Sequence, residues 1–268
     1  MLRSQVNLSG ALLSGGVFFH IRCCAYILNL IVQDGLKEID EFVQKIRESV
    51  KYVKGSLARK QKFVECITQV SLDVKKGLRQ DVPARWNATI LMLETAIYFR
   101  RAFCHLELSD SNYKCCPTQE EWTKAGKICS FLEEFYSATK IFFGTKYPTA
   151  NLYFPLVFLV QRKLVTELNS KDAFKRKMVG QMYLKFEKYW SEFSTSLTFA
   201  VILDPRYKFA FVAFCYKKIH GSDSNKGEEV REKLFYLFNE YMVDSPLSAN
   251  TLTSSQQVGS SSHEMVNE

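Results

Sequence analysis
Arg85, Trp86 and Asn87 stand side by side in this sequence and have the residue types that handle unpaired nucleic acid. An exposed indole stacks on an unpaired base for ~1–3 kcal/mol, while a neighbouring guanidinium grips phosphate. Tryptophan is also highly buried on average. Residue 86 lies where a helix begins, so the other reading packs the indole in the core and leaves Arg85 in solvent. Residue types alone leave both readings open.

The second chemistry-bearing feature is positive charge. Lys51, Lys54, Arg59, Lys60 and Lys62 form a basic stretch, continued by Lys75, Lys76 and Arg79, with Arg100 and Arg101 further on. Few acids interrupt residues 42–80, which makes a phosphate-facing surface the functional reading and a solvated face the plain one. The chain carries +8 overall. Only Asp244, Glu264 and Glu268 are charged after Met242, so residues 1–242 hold 36 basic against 25 acidic side chains, or +11. Such a balance favours polyanionic partners, or serves solubility.

Cleavage chemistry has less to stand on. Two-metal phosphoryl transfer needs carboxylates that hold ions ~3.5–4 Å apart. Asp204, followed by Pro205, reads as a helix cap with proline at the first helical position. Asp34 has no acidic partner three or four residues on, and Glu133 and Glu134 are adjacent and diverge on a helix. His20, Cys23 and Cys24 lack a fourth zinc ligand, and Cys104, His105, Cys115 and Cys116 have the right ligand types at no standard spacing. No catalytic residue, metal site or cofactor is therefore assigned.

The elements that must position these residues are mostly helical. The run Val17, Phe18, Phe19, His20, Ile21 reads as one strand, and no other convincing strand follows. Helical periodicity then predicts a helix over about 23–53, kinked near Gly35, with Gly55 and Ser56 ending it and capping the next over 57–72. A third runs over about 86–108 with Ile90, Leu93, Ile97 and Phe103 inward. Thr118 and Glu121 form a capping box ahead of Trp122, Ala125, Ile128, Leu132 and Phe135. Further helices are expected over 152–168, from Asp172 to Trp190 and over 226–242, while 199–203 reads as strand or helix. The domain plan is a flexible 1–16, a folded 17–242 and a disordered Ser-rich tail over 243–268. Eight cysteines without a dense framework suit a reducing compartment. The N-terminus reads poorly as a signal peptide, and the longest apolar run, 152–160, is far short of the ~20 residues of a membrane span.

Three segments in order carry a resemblance: CCAYILNLIVQDGLK at 23–37, DVPARWNATILML at 81–93 and ILDPRYK at 202–208. Over residues 17–242 the chain resembles plant hAT-type transposases of the RICESLEEPER-like BED-finger group, which have a ribonuclease-H-like fold. The resemblance implies a helical insertion domain with one remnant strand of that core at 17–21. It implies a BED finger upstream, a dimerisation segment downstream and three catalytic acids, none of which maps onto a residue here. It also implies that Arg85 and Trp86 lie near transposon-end DNA. Tyr26 stands where the family has His.

The expected function is DNA binding without catalysis, through Arg85, Trp86, Asn87, Lys51, Lys54, Arg59, Lys60, Lys62, Arg100 and Arg101. The expected partners are DNA and related transposase-like proteins, not a membrane, and the expected location is the nucleus. The alternative is a helical protein–protein interaction module without DNA binding.

Overall fold
The computed structural model describes residues 13–18, 21–74, 76–82, 84–144, 149–190 and 194–243. Among them are eleven α-helices and no strand. In chain order these are α1 (Cys24–Lys37), α2 (Asp40–Lys54), α3 (Leu57–Gln69), α4 (Trp86–Tyr98), α5 (Arg100–Ser109), α6 (Gln119–Phe142), α7 (Tyr153–Leu168), α8 (Ala173–Trp190), α9 (Thr195–Ile202), α10 (Lys208–His220) and α11 (Lys226–Val243). They divide into two compact units, residues 22–193 and residues 194–243 with the described residues up to Ile21.

The helix boundaries follow local chemistry. Thr118 accepts from the Glu121 backbone N–H while the Glu121 carboxylate accepts from the Thr118 N–H, the capping box read from sequence. Ser56 caps α3 by accepting from the Arg59 N–H. The Asp172 carboxylate accepts from the Lys175 N–H at the start of α8. Two expected long helices are each broken in the structure. The first splits at Glu38 and Ile39, the second at Phe99, where φ −90° and ψ 10° turn the chain from α4 into α5.

Residues 22–193 close on themselves by pairing the first helix with the last. Arg22 lies over the Tyr189 ring at 5.6 Å, Asp34 bonds Lys185 at 2.7 Å and Glu38 bonds Lys177 at 2.7 Å. Numbers rise along α1 as they fall along α8, so the two run antiparallel. Gly35 lets them approach, because a Cβ there would meet Met182 Sδ at 2.7 Å. Helices α7 and α8 form an antiparallel hairpin, with Tyr153 against Trp190 at 6.4 Å and Glu167 bonded to Lys175 at 2.7 Å. The other end is aromatic: Phe63 of α3 packs on Phe99 and Phe103, and Trp122 stacks on Phe103 at 6.0 Å. Each such side chain contributes ~1.5–3 kcal/mol on burial.

The second unit packs α10 on α9 and α11. Phe18 meets Phe199 edge-on at 5.4 Å, and Ser14 donates to Glu240 at 2.5 Å.

Two expectations change here. The strand over 17–21 is not present in its described part. Val17 and Phe18 form a turn and Ile21 is irregular, while Phe19 and His20 lie outside the described residues. Ser14, Gly15 and Gly16 all have positive φ (52°, 58° and 73°), and Val17 N–H bonds back to the Ser14 carbonyl. That left-handed run leads into the turn at Val17 and Phe18, where a strand would need the chain extended. Asp204 and Pro205 do not start a helix either. Asp204 accepts from the Arg206 N–H and clasps its guanidinium at 2.7 Å, and α10 starts only at Lys208. The tail after residue 243 and most of residues 1–16 lie outside the described residues.

Candidate nucleic-acid interface
Trp86 is placed by a short turn and one buried ion pair. Arg85 N–H donates to the Val82 carbonyl at 2.8 Å, so the chain doubles back just before α4. Arg47 of α2 donates through Nε to Asp81 at 2.8 Å, fixing the start of that turn. The Asp81 side chain is only 2% exposed and that of Arg47 13%. Replacing Asp81 with alanine should cost about 2–3 kcal/mol by urea unfolding, below the usual figure for a broken buried pair because Arg47 keeps Asp40 and Gln44.

The indole enters the core. Trp86 is 1% exposed and meets Tyr136 of α6 edge-on at 6.3 Å. This corrects the base-stacking role expected for it: a buried indole offers no face to a base. Arg85 stays exposed, and Asn87 is half-buried with its Oδ1 enclosed and without a hydrogen-bond partner. Only Arg85 of the triplet faces solvent fully.

The remaining cations form two patches rather than one stripe. The first surrounds the α2–α3 corner. Lys51 and Lys54 occupy the last turn of α2, where cations suit the helix dipole. Arg59 lies over the Tyr52 ring at 4.1 Å, Tyr52 donates to Asp110 at 2.9 Å, and Lys62 stands 3.7 Å from the same carboxylate. Lys51, Lys54 and Lys60 pair with no carboxylate among the described residues. Asp110 ends α5, whereas Arg100 and Arg101 begin it, about 15 Å away along the helix axis. Those two arginines instead follow Tyr98, whose ring carries Lys76 Nζ at 4.3 Å, and Arg79 lies nearby. Arg85 stands outside the patches, about 20 Å from Tyr98 along α4.

The Tyr52 hydroxyl holds the Asp110 carboxyl below the usual carboxylate range, helped by the Asn112 N–H and by Lys62. A lowered folded pKa stabilises above the unfolded value of about 4 and is lost as pH falls through the folded value. Asp110→Asn should therefore flatten the acid side of the stability profile below about pH 4, read as urea midpoints against pH. An unchanged profile would contradict the linkage.

Acidic groups elsewhere are taken up by cations: Asp34 by Lys37 and Lys185, Glu121 by Lys45, Asp172 by Lys127, Asp204 by Arg206. Among the described residues no three His, Cys, Asp or Glu side chains are grouped to hold a metal ion. Cys115 is drawn towards Ser49, and burial pushes the Cys116 thiol well up beside Cys104 and Glu107. His20 lies outside the described residues.

Helical packing with unpaired surface cations defines a basic helical domain, and the comparisons say of which kind. The family model for the ZBED1 RNase-like helical domain matches residues 21–131, and that for the hAT-like transposase RNase-H fold matches residues 151–241. The chain belongs to the hAT-like transposase family. It is 34% identical over 243 residues to zinc finger BED domain-containing protein RICESLEEPER 2 of Oryza sativa subsp. japonica, covering 90% of this chain and 34% of the relative. It is 36% identical over 252 residues to a putative AC transposase of Zea mays, covering 91% and 31%. A more distant relative is zinc finger BED domain-containing protein 4 of Homo sapiens, 26% identical over 205 residues, covering 74% and 17%. The chain spans about a third of the length of the first two relatives. No solved structure matches it. No helix among the described residues is long and apolar enough to cross a membrane.

Proposed function
We propose that this chain binds DNA through its two basic patches and carries no strand-cleavage chemistry of its own. The observation that carries the reading is a set of exposed cations, Lys51, Lys60, Arg100 and Arg101, that pair with no carboxylate among the described residues, with Lys54 half-buried near Lys51 and Arg85 exposed outside the patches. Cations held away from carboxylates remain available to replace counterions on a phosphate backbone. The engagement of Asp34, Asp81, Asp110 and Asp204 with cations or a tyrosine supports the second half, because metal-assisted transfer needs carboxylates that converge. DNA binding by a chain related to transposases goes with a nuclear location.

A second reading has its own observation. Phe235, Tyr236, Phe238 and Tyr241 of α11 are each more than half exposed, which suits a protein partner such as a related transposase-like chain. Size-exclusion chromatography with and without duplex DNA separates the two. The DNA reading expects co-elution with duplex at low salt and no cleavage of that duplex in Mg²⁺. Assembly without DNA and no co-elution would replace it with the protein-interaction reading, and nicking of the duplex would overturn the non-cleaving part.

A further inference from the structure
The segment between α3 and α4 returns along the outer side of α4 and forms a cleft there. The Asp73 N–H donates to the Tyr98 hydroxyl at 3.3 Å, and the Arg79 N–H donates to Thr95 Oγ1 at 3.1 Å. The cleft holds about 370 Å³, is open to solvent on one side, and is lined among others by Lys76, Arg79, Leu91, Glu94, Thr95 and Tyr98. That volume is within the range of small-ligand sites.

Tyr98 is set in place before any ligand arrives. Phe99 meets it edge-on at 4.9 Å, its hydroxyl is held by Asp73, and Lys76 Nζ sits 4.3 Å from the ring centre. Lys76 and Arg79 are exposed, and neither pairs with a carboxylate among the described residues. Glu94 lies four residues before Tyr98, on the same side of the helix, and is the one acid lining the cleft among the described residues.

We propose that this cleft seats one unpaired nucleotide of a DNA strand, with the base against Tyr98 and its phosphate on Lys76 and Arg79. The proposal rests on the DNA-binding reading and gives it a strand preference. Stacking on an aromatic face is open to every base, but only once the base has left the duplex stack. Lys76 moves from the ring to the phosphate as the base arrives. Glu94 then favours bases that carry an amino group over thymine. A carboxylate accepts from the amino group of cytosine, whereas the single ring N–H of thymine is flanked by two carbonyl oxygens that repel it.

The test is fluorescence anisotropy of the full chain with labelled oligodeoxycytidine, oligothymidine and a duplex, each about 12 nucleotides long. Oligodeoxycytidine is expected to bind more tightly than oligothymidine or duplex. Tyr98→Leu should lower single-strand affinity about fivefold or more while leaving duplex affinity in place. Lys76→Gln with Arg79→Gln should lower the single-strand salt slope by about 0.7, the share of the one phosphate they hold. These two residues are exposed, so this arm reads out even where Tyr98→Leu unfolds. Glu94→Gln should narrow the gap between cytidine and thymidine strands. Duplex binding with no single-strand preference, or a Tyr98→Leu loss equal for both forms, overturns the cleft alone. Loss of all DNA binding by the unaltered chain overturns the reading beneath it.

Discussion

Trp86→Ala is expected to cost about 3–5 kcal/mol, the largest effect of any single change considered. That is a large part of the ~5–15 kcal/mol that holds a typical domain together. The indole is 1% exposed and bridges the start of α4 to Tyr136 of α6, so its removal leaves a cavity between the two helices. Urea or thermal unfolding should show an early transition or none. Trp86→Phe should keep the fold at a smaller cost and leave DNA affinity unchanged within about twofold, since the indole does not meet solvent. A folded Trp86→Phe variant with DNA affinity lowered tenfold or more would mean that the indole meets DNA after all.

The second large effect falls on binding instead of stability. Replacing Lys51, Lys54 and Lys60 together with glutamine should lower the salt slope of duplex binding by about 2.7, at about 0.9 per phosphate contact. These three are chosen because no carboxylate among the described residues engages them, whereas Arg59 and Lys62 are partly occupied by Tyr52 and Asp110. Stability should change by no more than about 0.5 kcal/mol per site, since Lys51 and Lys60 are exposed and Lys54 is only half-buried. A parallel set of titrations for the unaltered and triple-substituted chains measures this. Equal slopes would remove the α2–α3 patch from the interface.

Much of the helical order was legible because its signals are local. The Thr118–Glu121 capping box, Ser56 ahead of α3 and Asp172 ahead of α8 each sit within one turn of the backbone they satisfy. The breaks at Ile39 and Phe99 were not, because the apolar stripe continues through both and the change of direction is set by packing partners distant in sequence.

The site was legible in its parts but not in its arrangement. Trp86 stands four residues before Ile90 and seven before Leu93, both expected to face inward, so helical register alone argued for burial. The functional types of its neighbours, Arg85 and Asn87, pulled the reading the other way. The basic stretch read as continuous because its members are close in number. Their separation into two patches depends on α5 carrying Arg100 and Arg101 a helix length from Asp110. The strand at 17–21 was misread for a similar reason. Its apolar composition fits a strand, while the turn at Val17 and Phe18, entered from the left-handed residues Ser14, Gly15 and Gly16, is a backbone choice that composition does not reveal.

The central claim is that surface cations of this helical domain grip the DNA backbone. It is tested most directly by measuring duplex affinity of the unaltered chain over a range of salt concentrations. With about 6 phosphates neutralised, log K should fall against log salt with a slope near −5. Binding that is absent at low salt, or present but flat with salt, would contradict the account.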